Sequence, residues 1–395
     1  MEGKVLDIDM AEDCTGCSAC ASVCPSGAIT LVSDERGFLV PSVDEDACIR
    51  CRKCERVCQA LTRSNVERPS FIAGYVFSSS NQDVLSTSAS GGAFAELARG
   101  AIDANGLVAG CAWSSDIQAE HRLTDELDRV ADFASSKYVQ SNVRGIYAAV
   151  KRELESGRKV VFGGTPCQVE ALGRCCGKSR ENLLAVSVVC RGASSPGVWE
   201  AYKRGLEASA ESKLVSVNQR DKTRGYGRSM CHYKFKNGTT VDRATYVSDL
   251  YTNCFANGIT LRGSCHHCPA KGYHFADVIV GDDVLGAGSS KGATLVLCVT
   301  QKGSDWIKRL LSSRGRLVEL SSDQVALVSE KSNMLFGSSG RHDEASARLF
   351  NDIDAGMPAD KALMRSLPPK QKLKVWLDRA GLFSLARALK VRMNG

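Results

Sequence analysis

Two short stretches near the start of the chain constrain it more than anything that follows. Cys14, Cys17, Cys20 and Cys24 stand in CTGCSACASVCP, and Cys48, Cys51, Cys54 and Cys58 stand in CIRCRKCERVCQ, so eight of the 18 cysteines fall within the first 58 of 395 residues. Each run is C-x2-C-x2-C-x3-C, a spacing that wraps three thiolates around one iron-sulfur cubane and sends the fourth to its neighbour. The ligand sets it implies are Cys14, Cys17, Cys20 and Cys58 for one 4Fe-4S cluster, and Cys48, Cys51, Cys54 and Cys24 for the other. Zinc would instead favour C-x2-C pairs separated by a longer loop. A segment this short cannot hold a core together by side chains alone, so the clusters are expected to staple it.

A secreted disulfide scaffold would spread its cysteines along the chain and open with a cleavable leader, and residues 1–12, MEGKVLDIDMAE, have no such pattern. No run approaches the roughly 18 apolar residues of a membrane span. A cytoplasmic protein is expected, and in a reducing compartment clustered cysteines serve metal or redox chemistry. The net charge of +7 is concentrated at one end: between Lys370 and Gly395, seven Lys or Arg stand against Asp378. The remainder is close to neutral, which argues against a nucleic-acid-binding face.

From Phe71 onward apolar runs alternate with Gly- and Ser-rich loops. Strands are expected at 71–77, 106–113, 159–164, 183–190, 276–282 and 294–300, with helices after Gly92 and over 143–157. Alternation and the Asn237-Gly238 pair point to a hairpin within 214–248. The fold class expected is α+β or mixed α/β, divided into a small domain at 1–62, a larger one at 68–340 and a basic helical extension at 341–395. In that extension Val375, Trp376, Leu382, Leu385, Leu389 and Met393 can lie along one side of a helix. A basic amphipathic helix of this kind packs on its own domain or on an acidic partner, with peripheral membrane contact the less favoured alternative.

The body carries no G-x-G-x-x-G and no P-loop, so neither a Rossmann dinucleotide site nor a P-loop is supported. It offers instead SASGGAF (88–94), SKYVQS (136–141), GGTPCQVEAL from Gly163, VVCRGASSPGVWEAY around Cys190, Arg220–Lys222, LRGSCHHC (261–268) and DVIVGD (277–282). In this order, over residues from about 70 to 300, they resemble the coenzyme F-420 hydrogenase/dehydrogenase beta subunit family. The first 62 residues resemble a bacterial-type two-cluster ferredoxin, a common companion of that domain. They depart from the ferredoxin pattern at Gln59, where the second motif usually carries Pro.

The resemblance implies a ferredoxin domain followed by a mixed α/β flavin-binding domain that holds FAD. It implies flavin contacts at Ser90, Gly91, Gly92, Lys137, Tyr138, Ser141, Gly164, Thr165 and Gln168. Lys137, Arg220 and Lys222 are the cations available to tune the flavin. It also implies a third 4Fe-4S cluster at Cys167, Cys190, Cys265 and Cys268, with zinc at Cys265, Cys268 and His266 or His267 as the competing reading. Cys254 is held as a substitute ligand. Cys111 and Cys298 are expected in the core, Cys175, Cys176 and Cys231 as structural. The family usually has a Trp after the Gly-Asp of its GD motif, whereas this chain continues GDDVLGAGSSKGA from Gly281, so Asp282 and Gly286 shape a loop without that aromatic wall.

The expected function is an iron-sulfur flavoprotein oxidoreductase that passes electrons between the 4Fe-4S clusters and FAD, and from FAD to a deazaflavin or another small organic substrate. The alternative is a non-catalytic electron-transfer subunit. Expected partners are a ferredoxin or another redox protein, in a homo-oligomer or as a subunit of a complex.

Overall fold

The structure is a computed structural model that describes residues 5–62, 70–177, 179–286, 288, 291–330, 340 and 342–382. The N-terminal module is a β-hairpin of β1 (Ile29–Ser33) and β2 (Leu39–Val43), with Ile29 opposite Val43, and two short helices, Ala19–Ser22 and Lys53–Val57. Its buried apolar cluster consists of Val5, Leu6, Ile29 and Cys54, with further cysteines packed around it. So small a core needs the staple that its cysteines can provide.

The body contains β3 (Ala73–Ser79), β4 (Leu107–Trp113), β5 (Ala119–Thr124), β6 (Val160–Gly164), β7 (Leu183–Val188), β8 (Leu214–Asp221), β9 (Met230–Phe235), β10 (Thr240–Ala244), β11 (Val278–Asp282), β12 (Thr294–Cys298) and β13 (Gly315–Glu319). Eight of them form one sheet in the order β13-β3-β12-β11-β7-β6-β4-β5. Its centre, β11-β7-β6-β4, is parallel, and β5, β12, β3 and β13 each join antiparallel to a neighbour. The central strands read as unbroken apolar runs because helices cover both faces. Val160 and Phe162 pack with Tyr147, Val150 and Leu172 on one side, while Val161 packs with Leu97, Ala98 and Ile307 on the other.

All six expected strands are present, and β9 and β10 form the hairpin around Gly238. The two edge strands, β5 (AEHRLT) and β13 (GRLVE), have no apolar run to announce them. Charged, half-exposed residues are what an edge carries to discourage further pairing.

β8, β9 and β10 make a separate three-stranded sheet. Tyr233 of β9 shares a core with Trp199, Tyr202 and Tyr251, with Leu349, Leu363 and Val375 from the helices Asp343–Asp354, Ala359–Ser366 and Pro369–Arg379, and with Leu367 just after the second of these. The expected apolar stripe along the C-terminal helix is corrected at its start. Val375 is fully buried whereas Trp376 is 61% exposed, since neighbours in sequence point about 100° apart on a helix. Leu382 is also exposed, and Leu385, Leu389 and Met393 lie outside the described residues. Among the described residues no helix is long and apolar enough to cross a membrane.

Candidate functional site

In each N-terminal run the backbone turns left-handed at the same two places, at Gly16 and Ser18 in the first and at Arg50 and Arg52 in the second. Such turns gather successive N–H groups into a concave nest, the backbone form found at many iron-sulfur sites. The cysteines line two cavities. One is bordered by Cys14, Cys17, Cys20 and Cys58, the other by Cys24, Cys48, Cys51 and Cys54, so the fourth cysteine of each run crosses to the other site. Burial, and then the neighbouring thiols Cys17 and Cys14, push the Cys20 thiol well up. Thiols that resist ionising alone give up their protons when iron takes the charge.

Among the described residues no three His, Cys, Asp or Glu side chains meet closely enough for a single metal ion. A cubane binds one thiolate at each of four corners, so its ligands border a cavity rather than a point. The donor sets and the two cavities therefore fit 4Fe-4S clusters, and the zinc set at Cys265, Cys268 and His266 or His267 is not assembled. His267 turns instead toward Asp13, 3.5 Å away.

A third group of cysteines forms where the parallel strands end. Cys167 is the second residue of the helix Pro166–Cys176 that follows β6, Cys190 follows β7, and Cys265 and Cys268 sit in and just after the turn Gly263–His267. Thr165 and Gln168 form a capping box that fixes the first turn carrying Cys167. Cys167 feels the charge of Cys268, Cys190 and also Cys17 of the first N-terminal site. The Ala193 N–H donates to Cys265 Sγ at 3.3 Å. Burial first, and then a neighbouring thiol, pushes Cys190 and Cys265 each up to about 11. The set is thus brought together from three segments.

Cys254 is corrected as a substitute ligand: it is fully buried in the core under the small sheet, its thiol turned to the Leu363 carbonyl at 3.5 Å. Cys298, Cys176 and Cys231 are buried. Cys111, expected in the core, is half-buried on the side facing Lys137 and Ser141. Cys175 is half-buried beside Cys17, pushed up to about 12 by burial and then by that neighbour.

The candidate flavin residues line the same edge of the large sheet, but many are already engaged within the protein. Ser90 Oγ meets Thr294 Oγ1 at 2.9 Å, and Gly91 N–H donates to that same hydroxyl. A Cβ at Gly91 would stand 2.1 Å from the Phe77 carbonyl, so the residue serves close packing, while Gly92 precedes the helix Ala93–Asp103. Gln168 Nε2 donates to Ser141 Oγ at 2.8 Å and its Oε1 accepts the Thr165 N–H at 3.0 Å, closing over Gly164. Lys222 Nζ donates to the carbonyls of Leu85, Ser90 and Lys291, and burial, then Arg220, lowers its pKa to about 8.

Other groups here have donors to spare. Lys137 makes one hydrogen bond, to Ala134 O at 2.8 Å, and desolvation lowers its pKa. Arg220 donates to Tyr138 Oη and Asp282 at 3.2 Å, while its Nε and the buried Gln219 Nε2 have no acceptor. Donors and cations without a full set of partners fit the polar and anionic parts of a flavin nucleotide.

Residues 157–321 match the family model for the C terminus of the coenzyme F420 hydrogenase/dehydrogenase beta subunit, and residues 13–60 match that of a 4Fe-4S dicluster domain. Residues 157–321 are thus similar to the C-terminal part of that beta subunit. A solved chain of the F420-reducing NiFe hydrogenase complex from Methanosarcina barkeri is similar at 14% identity and a TM-score of 0.47, over 74% of this chain and 97% of that one. No curated protein matches the chain. An iron-sulfur electron-transfer module at residues 13–60 thus precedes the beta-subunit-like region.

Sequence reasoning missed two residues of the candidate site. His121 on β5 is buried between Ser141 Oγ at 3.1 Å and Gly163 O at 3.0 Å, and desolvation lowers its pKa to about 4. Its edge strand carries no motif that would have found it. Arg262 stands three residues before Cys265, inside the quoted LRGSC, and that adjacency was the available signal.

Proposed function

We propose that the chain is an iron-sulfur flavoprotein oxidoreductase in which Cys167, Cys190, Cys265 and Cys268 hold a third 4Fe-4S cluster between the N-terminal pair and an FAD. The observation that carries this reading is the position of Cys167: its carbonyl accepts a hydrogen bond from Gln59 Nε2, beside Cys58 of the N-terminal module, at 2.7 Å, and its thiol stands within electrostatic reach of Cys268, Cys190 and Cys17. A thiolate site there continues the N-terminal sites toward the edge of the large sheet, where Lys137, Tyr138, Arg220 and Lys222 gather. FAD bound at that edge would supply hydride or two-electron chemistry toward a substrate. With FAD held there, the chain's own cations would favour the negative charge that a reduced flavin gains. Asp282 is engaged by Arg220 and by the Tyr226 hydroxyl, each at 3.2 Å, and the loop from Gly281 lacks the family's Trp. Both features favour a small organic substrate over a stacked deazaflavin.

The test is an iron, sulfide and flavin analysis of anaerobically purified protein. The expected result is about twelve irons and one FAD per chain, four irons for each of three cubanes. Eight irons would remove the third site, and absence of flavin would overturn the enzyme reading.

A further inference from the structure

Arg262 is 2% exposed, one of the largest fully buried side chains of the protein. Its Nε donates to Cys14 O at 2.5 Å, Nη1 to Gln140 Oε1 at 3.1 Å and Nη2 to Leu39 O at 3.1 Å, with Cζ 5.1 Å from the Phe38 ring centroid. All these acceptors are neutral, and among the described residues no carboxylate pairs with the guanidinium. A buried cation without a counter-charge is costly enough that natural proteins almost always supply one. The negative charge on either side of Arg262 would be that of the cysteine sites: its Nε reaches the Cys14 carbonyl of the N-terminal module, and its own carbonyl accepts the Cys265 N–H of the third set at 3.0 Å. The chain is built to admit it. Gly16 has φ 63°, and a Cβ there would lie 2.7 Å from Arg262 Nη1, while Ser264 Oγ donates to the same Cys14 carbonyl at 2.9 Å.

We propose that Arg262 is a shared counter-cation, a positioning residue that raises the reduction potential of the cluster at Cys14, Cys17, Cys20 and Cys58 and of the cluster at Cys167, Cys190, Cys265 and Cys268. The second half rests on the third-cluster reading; the first half does not. One electron entering a thiolate-bound cubane adds one negative charge, and a nearby cation in a low-dielectric setting favours that state. The site at Cys24, Cys48, Cys51 and Cys54 has no contact with Arg262 and serves as the internal reference.

The experiment is an EPR-monitored redox titration of anaerobic holoprotein, comparing wild type with Arg262→Gln and Arg262→Lys. In Arg262→Gln the midpoints of two cluster signals are expected to fall while the reference signal stays in place. Arg262→Lys, which keeps the charge, is expected to hold wild-type midpoints. If wild type carries only eight irons, the third-cluster reading fails, and a fall confined to the one remaining non-reference signal still supports the proposal for Cys14's site. Unchanged midpoints in a fully loaded Arg262→Gln protein, or an equal shift of every signal, would overturn it. Should Arg262→Gln fail to load iron, a loaded Arg262→Lys protein with wild-type midpoints supports the charge requirement. Failure of both variants to load, or a Lys variant with lowered midpoints, would assign Arg262 to packing and overturn the proposal.

Discussion

The two N-terminal runs share spacing and backbone conformation, yet one is an interface and the other a surface. Gly16 and Arg50 occupy the same place in their runs, both left-handed, at φ 63° and 53°. A Cβ at Gly16 would stand 2.1 Å from Gln140 Nε2 and 2.7 Å from Arg262 Nη1, because this run is pressed against the body. Arg50 is exposed, reaching Glu45 at 4.0 Å. The next pair repeats the contrast, with Ser18 buried and the Arg52 side chain 46% exposed. Cluster chemistry tolerates either residue at these turns. What selects glycine in the inner run is the neighbour it must admit, whereas the outer run lies exposed at the same turns.

The largest expected effect follows from that contrast. Gly16→Ala strains a left-handed residue and displaces a buried guanidinium, and should cost about 3 kcal/mol or more. Arg50→Gly removes a strained side chain at an exposed turn and should change stability by no more than about 1 kcal/mol, its lost strain offset by chain entropy. Denaturant midpoints of anaerobic holoprotein measure both. Equal costs at the two positions would mean that docking does not distinguish the runs.

A second way to break the comparison is to remove metal. The inner site is walled by Leu6, Leu31 and Ala19, whereas Ile49, Arg50, Arg52 and Lys53 around the outer site lie exposed. A ferrous chelator added anaerobically should therefore deplete the outer cluster several-fold faster than the inner one, followed by the loss of each EPR signal. Simultaneous loss would show that the module opens as one unit.

Cluster ligands were legible in the sequence where they are local. C-x2-C-x2-C-x3-C encodes its geometry within eleven residues, so the eight N-terminal cysteines could be sorted into two crossed sets before any fold was known. The candidate third set, Cys167, Cys190, Cys265 and Cys268, comes from three segments far apart in the chain, and spacing alone could not collect it; the family resemblance suggested it. Cys254 shows the opposite error, since nearness to Cys265 in sequence is undone by a helix that turns its thiol toward Leu363. Trp376 is misplaced for a related reason: a run of apolar residues makes a stripe only when the helical angle between neighbours allows it. Arg262 and Gly16 were invisible in their roles, because each is explained by a partner more than 120 residues away.

The smallest expected effect concerns the residue that follows the crossing cysteine. After Cys24, which serves the outer site, stands Pro25, an exposed residue with no hydrogen to donate; after Cys58, which serves the inner site, stands Gln59. Gln59 is 3% exposed, and its Nε2 donates to the Cys167 carbonyl at 2.7 Å, tying the inner run to the third cysteine set. Its Oε1 is buried without a partner. Gln59→Met would leave the Cys167 carbonyl without that donor, which costs stability, but would also remove an unsatisfied acceptor, which returns part of it. A net loss of about 1 kcal/mol is expected, with the iron content unchanged. Gln59→Glu should lose more, because it sets a buried carboxylate against a carbonyl with nothing to donate between them. Thermal unfolding of the two variants beside wild type decides the matter. A Met variant more stable than wild type would mean that the orphaned oxygen outweighs the bond, and that the inner run is held against the body by Arg262 and Gln140 without help from Gln59.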